Sequence, residues 1–81
     1  NKLKFEVFVT LKKEVLDPQG KAVENALSDI GLNAIKNIRQ GKYFTLEVSE
    51  NDENKASDLV KSSCEKLLAN QTIENFKFNK I

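Results

Sequence analysis

The chain opens with an almost unbroken alternation of apolar and polar residues from Lys2 to Lys12. One side of this segment is entirely apolar: Leu3, Phe5, Val7, Val9 and Leu11. Phe8 and Thr10 fall on the other side, among charged residues. A period of two with β-branched and aromatic residues predicts a half-buried β-strand.

Two later segments carry apolar residues at helical spacing. The first begins at Asp17-Pro18, where the carboxylate suits an N-cap and the proline suits the first helical position, and it ends at Gly31. The second begins at Asn51 or Asp52 and ends near Asn70. Its apolar stripe comprises Ala56, Leu59, Val60, Ser63, Cys64, Leu67 and Leu68.

Three further segments predict strands: 33–40, whose alternation is impure, 43–49 and 73–81. Gly41-Lys42 would form the tight hairpin between the first two, with the glycine at positive φ. The resulting order is β-α-β-β-α-β. It predicts an α+β ferredoxin-like plait in one domain, residues 1–81, with a four-stranded antiparallel sheet and both helices on one face.

The composition limits the chemistry that the chain can perform. There is no histidine, one cysteine and a net charge of +1 among 81 residues. Without histidine the usual general acid–base groups and the commonest metal ligand are missing, so we expect no catalytic residue, cofactor or metal. The single cysteine favours a reducing, cytoplasmic location. No apolar run suits a membrane span, and the near-neutral charge argues against nucleic acid as a partner.

The predicted sheet leaves one face open, and four of its residues form a semi-apolar patch. They are Phe8, Thr10, Tyr43 and Thr45. We interpret this patch as the candidate oligomer face, because a small domain gains stability from a partner. Two alternatives remain: scattered exposed apolar residues, which are normal, and an RNA-binding plait that stacks bases on Phe8 and Tyr43.

Two short motifs are candidates for contact with a partner protein. Asp17, Gln19 and Gly20 lie at the first helix start, and a plain helix cap accounts for part of that motif. Arg39, Gly41 and Lys42 lie at the predicted hairpin tip, where a basic finger and a solvated turn are equally good interpretations.

The chain resembles the PurS family, the small subunit of phosphoribosylformylglycinamidine synthase. The resemblance covers essentially the whole chain and is carried by these residues: Val9–Lys12, Val15–Val23, Ala26-Leu27, Gly31, Ile38-Arg39 with Gly41-Lys42, Leu46–Val48, Cys64–Asn70 and Ile73–Phe76. It departs from the family pattern at Gln40, usually aliphatic, and at Lys77 and Lys80, where more acid is usual.

The resemblance implies a function that composition could not show. In this family the small subunit has no chemistry of its own, forms a homodimer or tetramer, and bridges a glutaminase subunit and an ATP-dependent synthetase subunit during ammonia transfer. The alternative function is a regulatory plait that binds an amino acid or another metabolite at a dimer interface.

Overall fold

A computed structural model describes residues 2–81 as three strands and two helices. In chain order they are β1 (Leu3–Leu11), α1 (Pro18–Asp29), β2 (Gly41–Val48), α2 (Glu53–Ser63) and β3 (Glu74–Lys80). α2 continues directly into a π-helical turn, Cys64–Leu68. No helix within residues 2–81 is both long enough and apolar enough to cross a bilayer.

The sheet is antiparallel, with β1 in the centre and the order β2-β1-β3. The buried side of β1 carries Phe5, Val7 and Val9, as the alternation predicted, and each is at most 1% exposed. α2 and the π-helical turn cover this side of the sheet. They complete the core with the small and medium side chains of Ala56, Val60 and Cys64, and Ala69 adds to the core just after the turn.

Both predicted helix starts are confirmed. The Asp17 carboxylate accepts a 2.9 Å hydrogen bond from the backbone N–H of Gly20, and Asp52 accepts one from Asn54 at the same distance. Gly31 has a φ of +93°, so it ends α1 in the left-handed conformation that glycine tolerates best. The local stop and start signals therefore have the expected structural effect.

The four-stranded plait was wrong, because residues 33–40 form no strand. Asn37 has a φ of +59°, which breaks an extended backbone in the middle of that segment. The backbone N–H groups of Asn37, Ile38 and Gln40 donate to side chains of Glu24 and Asp17. These donors are consequently unavailable for pairing with another strand. The absence of a strand agrees with the irregular alternation of apolar and polar residues in this segment.

The Gly41 hairpin was also wrong. Gly41 is the first residue of β2, pairs with Thr10 of β1 and has no positive φ. A Cβ atom at Gly41 would lie 2.6 Å from the carbonyl oxygen of Val9. Close approach of two strands, and not turn geometry, therefore explains this glycine.

Helix α1 does not pack on the sheet, contrary to the prediction that both helices share one face. Gly20 is the one buried residue of α1, and no α1 residue belongs to the core of the described chain. α1 and the returning segment up to Gln40 instead project from the sheet, and we call residues 16–40 the arm. The Cα radius of gyration is 16.2 Å, whereas a compact domain of this length has about 12 Å.

Candidate functional site

The base of the arm is held together by the carboxylate of Asp17. One oxygen accepts from Gly20, and the other accepts a 2.6 Å hydrogen bond from the backbone N–H of Gln40. Hydrogen bonds from the Gln40 and Gly20 amides, with the nearby Arg39 charge, hold the pKa of Asp17 below its ordinary value. Asp17 thus ties the start of α1 to the end of the returning segment.

Two other predicted partner-contact residues, Gln19 and Arg39, lie close to this carboxylate. Gln19 accepts a 2.8 Å hydrogen bond from the Gln40 side chain, and Arg39 Nη2 donates to the carbonyl oxygen of Lys12 at 2.9 Å. We call Asp17, Gln19, Gly20, Arg39 and Gln40 the arm root. The structure brings together residues from both predicted motifs, although no hairpin joins them.

Within the arm root, exposure separates two kinds of residue. Asp17 is 5% exposed and Gly20 is buried, so neither residue presents a surface to solvent. Gln19 and Arg39 are exposed and present amide and guanidinium groups to solvent. Lys42, just beyond the arm root on β2, is also exposed and lies 3.6 Å from Glu74 of β3. These polar and cationic groups can pair with carboxylates of another protein.

Sequence reasoning missed Glu24, which fastens the middle of the arm. Its carboxylate accepts hydrogen bonds from the Asn37 and Ile38 amides at 2.9 and 3.4 Å, and Lys21 lies 3.7 Å from it. These residues line a small cleft of about 230 Å³ between α1 and the returning segment. The spacing of residues in the sequence could not reveal this contact, because a glutamate on a helix is ordinarily a solvent-exposed residue without a specific partner.

The four residues predicted to form an oligomer face share one side of the sheet. Phe8, Thr10, Tyr43 and Thr45 all lie on the side of the sheet opposite α2. The Phe8 and Tyr43 rings are 5.1 Å apart, and Tyr43 is 56% exposed. The Tyr43 hydroxyl donates to Glu6 at 3.0 Å, and this hydrogen bond with the carboxylate raises the pKa of Tyr43.

This face also carries a cation that sequence reasoning missed. Lys77 Nζ of β3 lies 5.3 Å from the centre of the Phe8 ring, a cation–π distance. Asn79 reaches the Glu6 carboxylate at 3.5 Å. The open face is therefore a mixed surface, with two adjacent aromatic rings bordered by hydrogen-bonded polar groups.

Cys64 is fully buried in the core, as predicted for a structural thiol, and burial raises its pKa.

In the described part of the chain, no group of three or more acidic, cysteine or histidine side chains is placed to hold a metal ion. The carboxylates of Glu50 and Asp52, which precede α2, accept backbone hydrogen bonds at the helix start.

Comparison with known proteins identifies the family. The family model described as PurS, phosphoribosylformylglycinamidine (FGAM) synthase, matches residues 4–81. The chain belongs to the PurS family. The sequence is 45% identical over 75 residues to the phosphoribosylformylglycinamidine synthase subunit PurS of Bacillus subtilis, covering 93% of this chain and 88% of that protein.

Solved PurS structures are similar to this chain over nearly its whole length. The chain aligns with PurS of B. subtilis at a TM-score of 0.86 and 43% identity, over 98% of both chains. It aligns with a chain in the structure of PurLQS from Thermotoga maritima at a TM-score of 0.91 and 32% identity, over 100% of this chain and 99% of that one. The PurS resemblance inferred from the sequence is thus confirmed.

Proposed function

We propose that this chain is the non-catalytic small subunit of phosphoribosylformylglycinamidine synthase in purine biosynthesis, where it bridges the glutaminase and synthetase subunits and supports ammonia transfer. The observation that carries this proposal is the full-length similarity to PurS subunits, one of them in a PurLQS structure. The same proposal treats residues 1–81 as a single domain and places it in the cytoplasm.

The arm gives this bridging role a physical basis. A subunit that joins two larger proteins needs a surface that reaches beyond its own core, and the arm extends the molecule to 50 Å in its longest dimension. Gln19, Arg39 and Lys42 are the residues we assign to partner contact. Asp17, Gly20 and Gly41 support them by fixing the geometry of the arm and of the adjoining strand.

We further propose that the chain forms a homodimer or tetramer through its open sheet face. The paired rings of Phe8 and Tyr43 supply apolar area, and Thr10 and Thr45 border them without adding charge. Sheets that pack face to face bury such rows of residues against each other. A molecule of this size gains stability from that burial.

The bridging role can be tested by changing the nitrogen source. The synthase is reconstituted from the synthetase and glutaminase subunits, with or without this chain, and supplied with either glutamine or ammonium. Omitting the chain should abolish product formation from glutamine and leave formation from ammonium largely intact. An unchanged glutamine-dependent rate contradicts bridging, and an equal loss with ammonium indicates a role in the synthetase chemistry itself.

The partner-contact assignment can be tested by reversing one charge. Arg39→Glu should weaken capture of the two larger subunits at least tenfold, because it replaces a cationic donor with a repelling carboxylate. Lys36→Glu is the matched control, since Lys36 is an exposed cation on the same segment, outside the arm root. Equal binding by the two variants and the wild type would remove the arm root from the interface.

The oligomer face can be tested at Tyr43. Tyr43→Lys places a charge beside Phe8 and should lower the molar mass measured by light scattering, whereas Tyr43→Phe keeps the ring and should not. A wild-type molar mass for the lysine variant would show that this face is not an oligomer interface.

A further inference from the structure

We propose that the cleft at the base of the arm receives an acidic side chain of a larger subunit of the synthase, with Leu16, Lys21 and Arg39 as its contacts. The cleft has a volume of about 230 Å³ and lies between α1 and the returning segment. This proposal rests on the proposed function and deepens it, because it adds Leu16 and Lys21 to the partner-contact residues and names the chemistry that they recognise.

The two acidic residues of the cleft are turned toward the protein and already have partners. Asp17 is 5% exposed and accepts hydrogen bonds from the backbone N–H groups of Gly20 and Gln40. The Glu24 side chain is 16% exposed and accepts from the backbone N–H of Asn37. Both carboxylates therefore hold the arm's own backbone, and a partner meets little of their charge.

The two cations of the cleft face outward. The Lys21 side chain is 63% exposed, and its Nζ lies 3.7 Å from the Glu24 carboxylate, which is beyond ordinary hydrogen-bond distance. Arg39 is exposed and forms no ion pair with a carboxylate within residues 2–81. The cleft contains as many acids as cations, yet the part that a partner can reach is cationic. Such a surface is complementary to a carboxylate.

The Arg39 guanidinium is already held in position. Its Nη2 donates to the carbonyl oxygen of Lys12 at 2.9 Å, which ties it to the residue that follows β1. A guanidinium has N–H donors on all three nitrogens, so the other donors remain available to a planar carboxylate. Binding to this arginine consequently costs less side-chain entropy than binding to a mobile one.

The rim of the cleft fits a protein segment better than a free anion. Leu16 is 79% exposed and offers apolar area that an inorganic ion cannot use. Next to Asp17, the Gln40 side-chain amide donates to Gln19 Oε1 at 2.8 Å. This bond leaves an amide N–H group on Gln19 and a carbonyl oxygen on Gln40, which together match a peptide group. The occupant is therefore an acidic residue of a polypeptide, with an apolar neighbour.

The charged contact can be tested with Lys21→Gln. Dissociation constants for the larger subunits, added singly and together, are measured at about 0.05 and 0.3 M NaCl, because salt screens exposed charge pairs. Lys21→Gln should weaken binding roughly fivefold at the lower salt concentration and approach the wild type at the higher one. Lys36→Gln removes an exposed cation of the arm outside the cleft and is the matched control. Wild-type binding by Lys21→Gln at low salt overturns the proposal.

The apolar contact can be tested with Leu16→Ala. This change removes apolar area and leaves the charge unaltered, so it should weaken binding by a similar factor at both salt concentrations. Ile81→Ala shortens another exposed apolar side chain, outside the cleft, and should bind as the wild type does. Wild-type binding by Leu16→Ala contradicts the assignment of this rim to a protein segment.

Two other occupants would give different results. If a second copy of the chain filled the cleft, Lys21→Gln and Leu16→Ala would lower the molar mass measured by light scattering. If a small anion filled it, inorganic phosphate would bind the wild type saturably and Lys21→Gln would not, while capture of the larger subunits would be unchanged. Either result overturns the proposal, and we expect neither.

Failure of this proposal is distinguishable from failure of the proposed function. A wild-type chain that binds neither larger subunit, singly or together, contradicts the bridging function and the cleft assignment. A wild-type chain that binds them, with Lys21→Gln and Leu16→Ala binding equally well, contradicts the cleft assignment alone. Circular dichroism on both variants checks that they are folded, which the exposure of Leu16 and Lys21 should permit.

Discussion

Replacing Gly20 with alanine should detach the returning segment of the arm from helix α1. Gly20 is the third residue of α1, and a Cβ atom there would lie 2.3 Å from the carbonyl oxygen of Ile38 and 2.8 Å from a carboxylate oxygen of Asp17. Carbon–oxygen contacts are ordinarily about 3.3 Å or longer, so the returning segment must move by roughly 1 Å. The 2.6 Å hydrogen bond between Asp17 and the Gln40 amide would not survive that shift.

The expected magnitude follows from two opposing effects. An added carbon in a site with no space typically destabilises a protein by about 1–3 kcal/mol. Alanine in a helix is favoured over glycine by about 1 kcal/mol, which offsets part of that loss. We expect a net destabilisation of about 1 kcal/mol. For a domain of this size that corresponds to a fall in melting temperature of about 4–8 °C.

Two measurements check this prediction. Thermal unfolding at equal protein concentration gives the change in stability, and amide hydrogen exchange at Gln40 shows whether the arm root has opened. Gly31→Ala is the matched control: it is strained because its φ is +93°, but no atom lies within 4 Å of its added Cβ. The control should therefore also lose about 1–2 kcal/mol of stability, while the Gln40 amide keeps its protection from hydrogen exchange.

If Gly20→Ala melts at or above the wild-type temperature and Gln40 exchanges at the wild-type rate, the close approach of Ile38 does not constrain residue 20. Helix propensity would then be the only effect of the substitution. Loss of Gln40 protection in both glycine variants would instead show that the arm root opens with any loss of stability, and not through this contact.

Three further predictions concern single titratable groups. Because hydrogen bonds lower the pKa of Asp17, the urea midpoint should fall as the pH drops below about 4, and Asp17→Asn should flatten that dependence. Tyr43 is the only tyrosine of the chain, so absorbance titration reports it alone; its pKa should lie above about 10 and return toward that value in Glu6→Gln. The buried Cys64 thiol should resist aromatic disulfide reagents until the protein unfolds, and because its pKa is raised, stability should fall above about pH 8.5, less so in Cys64→Ala.

The sequence was informative wherever a local rule decides the structure. The alternation in β1, the carboxylate caps at Asp17 and Asp52, and the stop at Gly31 are all read correctly, because each depends on a few neighbouring residues. The family resemblance rested on the same kind of signal, several short runs of residues, of which the run at the start of α1 is the most specific. Burial of Cys64 followed from its place on an apolar stripe.

The arm could not be predicted, because its structure depends on contacts between residues distant in sequence. Residues 33–40 have enough isoleucine to suggest a strand, but Glu24 and Asp17 accept hydrogen bonds from their amides across 13 to 23 positions. The same limit applies to α1: its apolar spacing predicted a face that packs on the sheet, but no α1 residue belongs to the core of the described chain. An amphipathic pattern indicates that a helix face is suited to burial, and it does not identify the surface that buries it.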